Sequence, residues 1–256
     1  SQLLSAVLCT VIGVRKFLIL RLKKEDFTLL SSALKIHLSI GFPMGFQMSV
    51  MCIGQLAMQG AVNALGTEAI AGYTAATKVD QISVLMNAAF GIAISNYVAQ
   101  NYGAGLWDRI RKGTAACLLQ TSIANAIMCV MIIFGRHLVV PMFVSQPTAE
   151  IIWYSDHYLL TVAPFYLLLG VLQIYRSAIQ SMGNSWTPFT ACIIELIFRI
   201  TSTTVFAGII GHVGICFATP FAWIGACGLL VPVYWHEILK RRKTDDARLN
   251  CNKKYI

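Results

Sequence analysis

Hydrophobic residues run through this sequence in blocks too long for the helix of a soluble core and too free of charge for a loop. A helix that crosses the hydrocarbon core of a bilayer needs about 20 apolar residues. Residues 36–66 hold no Asp, Glu, Lys or Arg and predict one long span, with Pro43 kinking or thinning its start. Residues 69–99 predict a second span, interrupted by Lys78 and Asp80. Residues 113–135, 151–181, 187–211 and 213–235 predict four more, and Pro164 falls inside 151–181.

The breaks between these blocks carry turn chemistry. Asn63-Ala64-Leu65-Gly66, Met182-Gly183-Asn184-Ser185-Trp186 and Gly211-His212-Val213-Gly214 predict tight turns, and two glycines in 101–105 close the second span. Asp108, Arg109, Arg111 and Lys112 predict a hydrophilic loop, and 136–150, with Pro141 and Pro147, a longer connection. Residues 2–14 are apolar but short, and Arg15-Lys16 ends them. They read as the tail of a further span, and a start at Ser1 with no signal-peptide pattern predicts a natural start upstream. The expected fold class is therefore an all-α integral membrane protein with a six-transmembrane-helix bundle. Residues 1–20 are the end of a preceding helix, 21–36 a basic loop or surface helix, 37–239 the membrane lobe, and 240–256 a basic tail.

Composition agrees with this pattern. Residues of the AVILMFWYC class make up 57% of the chain and charged residues only 12%, where a soluble domain carries about 25% charge. Mean hydropathy is +0.67. The net charge of +9 matters through its placement, since 16 of the 20 Lys and Arg fall on one predicted side. That side is expected to be cytoplasmic, with the lobe in the plasma (inner) membrane and both of its ends cytoplasmic. The C-terminal basic run also suits contact with acidic lipid. Eight scattered cysteines show no C-x-x-C and no Cys/His pair at metal-ligand spacing, and read as packing residues. No Walker motif, Ser/His/Asp set, H-E-x-x-H or potassium-pore signature is present, so neither ATP-driven transport, enzymatic activity nor a bound metal or cofactor is expected.

Ionisable groups at membrane depth are costly unless paired or wetted, and mark functional positions. Lys78 and Asp80 lie about 14–17 Å into their span by helical rise. Residues two apart do not face each other on a helix, so each needs a cavity or a partner elsewhere, and function and structure stay equally open. Asp80 is the acid best placed for a proton or a cation. Glu195 and Arg199 share one helix face at i, i+4, and Arg176 lies at matching depth on the preceding span. The three predict one buried network, either a clasp between helices or a mobile gate. Asp156 and His157, near a span end, are expected to meet solvent. Gln47, Asn87, Asn96, Gln100, Asn125, Gln173 and Gln180 should face inward. Met44, Met48, Met51, Met58 and Met86 fit an adaptable binding surface or ordinary packing.

Three stretches resemble the MATE family of multidrug and toxic compound extrusion transporters. One is Ile40-Gly41-Phe42-Pro43 at the start of a span. Another runs from Ala69-Ile70-Ala71-Gly72-Tyr73 through Lys78-Val79-Asp80-Gln81 to the loop motif Gln100, Asn101, Gly103, Ala104, Gly105 and Arg109. A third runs from Arg176 through Met182-Gly183-Asn184 to Glu195 and Arg199. The resemblance implies the C-terminal lobe of a twelve-helix transporter, with an N-terminal six-helix lobe outside this chain as its partner. Met51 and Gly170 stand where the sodium-linked, NorM-like branch has a glutamate and an aspartate, and Gln47 after Pro43 is closer to the DinF-like branch. In that branch the proton-binding aspartate lies in helix one, and Asp80 is the candidate to stand in for it.

The resemblance therefore implies an antiporter that exports organic cations or drugs by alternating access, coupled to H+ or Na+. Gln47, Lys78, Asp80, Asn87 and Gln173 are the expected substrate and ion pathway. Two other readings stay open: a non-transporting fragment or assembly module, and a lipid-linked oligosaccharide flippase.

Overall fold

The computed structural model describes residues 2–17, 31–144 and 148–253. The described residues form eight α-helices and one 3-10 turn. The chain divides into two units, 1–39 and 40–256. In the first unit α1 (Gln2–Lys16) has no buried residue and ends on Arg15 and Lys16. Most of the expected basic loop, 21–36, lies outside the described residues. From Ser31 onward the chain is already helical, as the start of α2 (Ser31–Asn63).

The second unit carries the rest of α2, then α3 (Thr67–Gly103), α4 (Trp107–Phe143), α5 (Ala149–Val162), the 3-10 turn Ala163–Phe165, α6 (Tyr166–Ser181), α7 (Trp186–Ile210) and α8 (His212–Lys253). Six helical stretches are long and apolar enough to cross a membrane, with α5 and α6 counting as one. The expected all-α six-span lobe is thus the observed fold. Pro164 produces the 3-10 turn between α5 and α6, because a proline lacks the N–H that would continue the ladder. Pro43 leaves α2 continuous.

Helix boundaries differ from the sequence reading in physically simple ways. The predicted loop at Asp108–Lys112 is the beginning of α4, where Asp108 stands in the first turn and its charge suits the positive end of the helix dipole. The predicted connection over 136–150 is helical as far as Phe143. Thr148 then caps α5, its side chain accepting from the Ile151 amide at 3.3 Å. The basic tail continues α8 to Lys253, since residues 233–253 contain neither Gly nor Pro. Turns fall where the glycines predict them, at Gly66, Gly105, Gly183 and Gly211, all with positive φ.

Packing centres on α5, α6 and α8, the most buried spans. α6 lies against α3, α4 and α8, and α7 lies along α8. The part of α2 from residue 40 on is tied in by side chains. Gln180 Nε2 donates to Gln47 Oε1 at 2.8 Å, and the Met58 sulfur accepts from Thr219 Oγ1 at 3.3 Å and Arg199 Nη1 at 3.5 Å. Asp156 is not a solvent residue. It binds Arg136 at 3.4 Å and His137 at 3.3 Å, joining α5 to the end of α4.

Close helix approach needs small residues. A β-carbon on Gly72 of α3 would meet the Ile151 carbonyl oxygen of α5 at 2.6 Å, whereas one on Gly60 would meet nothing within 4 Å. Gly72→Ala is therefore expected to destabilise the protein by about 1–3 kcal/mol through overpacking. Gly60→Ala is expected to be neutral or stabilising, since alanine is the better helix former. Thermal unfolding of the two variants in detergent checks this, and equal midpoints would refute the close approach.

Candidate functional site

An open cleft of about 500 Å³ is lined by α2, α3, α5, α6, α7 and α8. It gathers most of the ionisable and amide side chains that the sequence places at membrane depth. Lys78, Asp80 and Asn87 come from α3, Gln173 and Arg176 from α6, and Glu195 and Arg199 from α7. Met51 from α2 also faces it. Gln47 does not line it, being buried against Gln180.

Asp80 is held by two tyrosines that the sequence reading passed over. Tyr166 Oη donates to Asp80 Oδ1 at 2.8 Å and Tyr158 Oη to Oδ2 at 3.4 Å. The two tyrosines bracket the 3-10 turn at Pro164, which brings both hydroxyls to one carboxylate. Tyr73 packs edge-on against Tyr158, with centroids 5.2 Å apart. The available signal was a pair of tyrosines eight residues apart on a neighbouring span, since a buried Tyr O–H needs an acceptor. Lys78 forms no ion pair with Asp80 among the described residues, and its side chain is exposed on the cleft wall.

The Arg176, Glu195 and Arg199 group divides in two. Arg176 Nη2 donates to Glu195 Oε1 in an ion pair with side-chain exposures of 5% and 7%. Arg199 makes no ion pair among the described residues. It donates to the Met58 sulfur, a weak acceptor, and lines the same cleft as Asp80.

Asn87 and Asn125 form a reciprocal amide pair, each Nδ2 donating to the other's Oδ1 at 2.9 Å. A β-carbon at Gly170 would come within 2.6 Å of Asn125 Nδ2. The pair thus fills the space that a larger residue at position 170 would need. Gln173 packs across Gly91, whose β-carbon would meet Gln173 Nε2 at 2.7 Å. Among the described residues no three His, Cys, Asp or Glu side chains gather as a metal site.

The loop motif builds the α3–α4 turn and lies apart from the cleft. Asn101 Nδ2 donates to the Tyr97 carbonyl at 2.8 Å, its own carbonyl accepts from the Leu106 amide at 2.9 Å, and Gly105 takes a φ of +70°. Gln100 contributes its carbonyl to the Ala104 amide, and the Arg109 carbonyl accepts from Tyr97 Oη. Gly103 and Ala104 complete the turn. Arg241 of α8 then clasps it, donating to Tyr102 Oη at 2.7 Å and lying over the Tyr102 and Trp107 rings.

Removing one partner of a buried ion pair strands a charge and costs about 3–5 kcal/mol. Glu195→Gln is therefore expected to lower the unfolding midpoint strongly, and Arg176→Gln with Glu195→Gln to regain most of the loss. Thermal unfolding in detergent reads both. A Glu195→Gln variant as stable as the native protein would show that the pair is not structural.

Residues 43–205, more than half of the chain, match the MatE family. The probable multidrug resistance protein YpnP of Bacillus subtilis (strain 168) is 28% identical over 180 residues, covering 70% of this chain and 40% of YpnP. The probable multidrug resistance protein YoeA of the same strain is 24% identical over 183 residues, covering 72% and 37%. The chain spans about two fifths of the length of these curated relatives. The crystal structure of MATE in complex with MaL6 superposes with a TM-score of 0.84 at 15% identity, over 93% of this chain and 54% of that one. At such identity the likeness is one of fold. With the family matched across its first five spans and the fold shared, this multi-pass membrane chain belongs to the MatE family.

Proposed function

We propose that this chain is one six-helix lobe of a cation-coupled antiporter that exports amphiphilic organic compounds by alternating access. Its basic side faces the cytoplasm, and a second lobe closes the cleft. The observation that carries this reading is the Asp80 carboxylate on the cleft wall, braced by Tyr166 and Tyr158, with Arg199 lining the same cleft. The names of the two Bacillus relatives, probable multidrug resistance proteins, support export of varied organic compounds.

The chemistry follows from that carboxylate. Asp80 has oxygen lone pairs left over after the two tyrosine hydrogen bonds, and these face a cleft that admits solutes. A proton, a sodium ion or the positive group of a substrate all compete for the same charge. Loading one expels the other, which is the requirement for antiport. Each occupant also changes what Arg199 and the tyrosines feel, and so biases the equilibrium between inward- and outward-facing states. A full reversal from 1:99 to 99:1 needs about 5.5 kcal/mol of differential binding. A carboxylate that gains or loses its charge in a medium of low dielectric constant is one of the few single groups able to contribute on that scale.

Asp80→Asn keeps the size and one oxygen that accepts from a tyrosine hydroxyl but removes the charge. It is expected to reduce efflux of a fluorescent organic cation at least tenfold at unchanged protein level, in cells where collapsing the ion gradient stops native efflux. Native-like efflux by this variant would remove Asp80 from the coupling and with it this reading of the cleft.

A further inference from the structure

Among the described residues five charged side chains line the cleft, and they do not balance. Arg176 and Glu195 are taken up by their ion pair, which leaves Lys78 and Arg199 against a single carboxylate, that of Asp80. Asp80 takes its hydrogen bonds from Tyr166 and Tyr158 rather than from either base. Lys78 makes no ion pair among the described residues, and Arg199 rests on the Met58 sulfur, a neutral and weak acceptor. The wall thus carries an excess of one positive charge.

The two bases sit at one depth. Lys78 lies eleven residues after the start of α3 at Thr67, and Arg199 eleven residues before the end of α7 at Ile210. Four crossings separate these two helix ends, so both lie on the same side of the membrane. Helical rise then places each base about 16 Å in from that side. Asp80 follows two residues further along α3, about 3 Å deeper. A lysine and an arginine at such depth are costly unless an anion or water meets them. The guanidinium fork is shaped for the two oxygens of a carboxylate.

We propose that Lys78 and Arg199 form an acid-binding subsite, so that the solute this cleft takes is zwitterionic. Its amine meets Asp80 and its carboxylate meets the two bases. A simple organic cation adds to the positive excess, whereas a zwitterion matches all three side chains. Leu169, Leu172 and Trp223 on the same wall offer apolar surface to the body of such a solute. This inference rests on the cleft being the transport site and on Asp80 being its cation-binding group.

The test compares two forms of one rhodamine dye at neutral pH: the ethyl ester, a simple cation, and the free carboxylate, a zwitterion. Fluorescence anisotropy reads their binding to the purified chain in phosphatidylcholine nanodiscs, with empty nanodiscs as the blank. The native chain is expected to bind the carboxylate form at least tenfold more tightly than the ester. Lys78→Gln and Arg199→Gln are each expected to weaken the carboxylate form at least threefold and to tighten the ester, from which they remove a like charge. Arg199→Lys keeps the charge and is expected to keep most of the preference, which separates charge from the packing against Met58. Asp80→Asn is expected to weaken both forms. Equal binding of the two forms by the native chain, with both weakened by Asp80→Asn, would overturn the acid subsite and leave the cleft reading intact. A preference that survives in both Lys78→Gln and Arg199→Gln would place the acid elsewhere and overturn the subsite too. Binding of both forms untouched by Asp80→Asn, or no binding of either, would overturn the cleft reading and the subsite with it.

Discussion

A polar side chain in hydrocarbon has no water to turn to, and α6 shows how this lobe meets that constraint. The helix is surrounded by its neighbours and is largely buried, yet it carries Gln173, Arg176, Ser177, Gln180 and Ser181. Most of these reach a different helix. Arg176 reaches Glu195 on α7, Gln180 reaches Gln47 on α2, and Ser181 meets Ser95 on α3 at 2.7 Å. Tyr166, at its start, reaches Asp80. Apolar packing alone gives little direction to helices in lipid, because lipid tails are as apolar as leucine. The lateral polar contacts of α6 fix which helix faces which.

In the cleft this satisfaction is left incomplete. Arg176 and Glu195 neutralise each other, and Asn87 and Asn125 close on themselves. Lys78 and Arg199 have no carboxylate partner among the described residues, and Asp80, whose hydrogen bonds come from two tyrosines, lines the same cleft. Polar groups that the fold itself has not matched are the groups available to a solute. The same logic separates the loop motif from the site. Asn101 and its neighbours spend their hydrogen bonds within the α3–α4 turn, and Arg241 fastens that turn to α8.

The six spans and their glycine turns were legible in the sequence because hydrophobic length and positive-φ glycine are local signals. Helix ends were less legible at Asp108 and beyond Gly135, where charge and proline read as loop although neither breaks a helix at its terminus or interface. Partner choice was the least legible. Glu195 and Arg199 have the spacing of a pair on one helix, but the more deeply buried Arg176 takes the carboxylate and leaves Arg199 to the cleft. Tyr158 and Tyr166 were overlooked because a tyrosine in an apolar run looks like packing until an acid is known to face it. The role of Gly170 needed three dimensions as well, since it is the Asn87–Asn125 pair and Thr121 that leave no room for anything larger there.

The account stands or falls on whether Asp80 exchanges a small cation for substrate. The direct measurement is release of protons, or of bound radioactive sodium, from the purified protein in weakly buffered detergent when tetraphenylphosphonium is added. Release of one or the other is expected from the native chain and none from Asp80→Asn. Equal release from both proteins, or binding of tetraphenylphosphonium to the native chain with neither cation displaced, would contradict it.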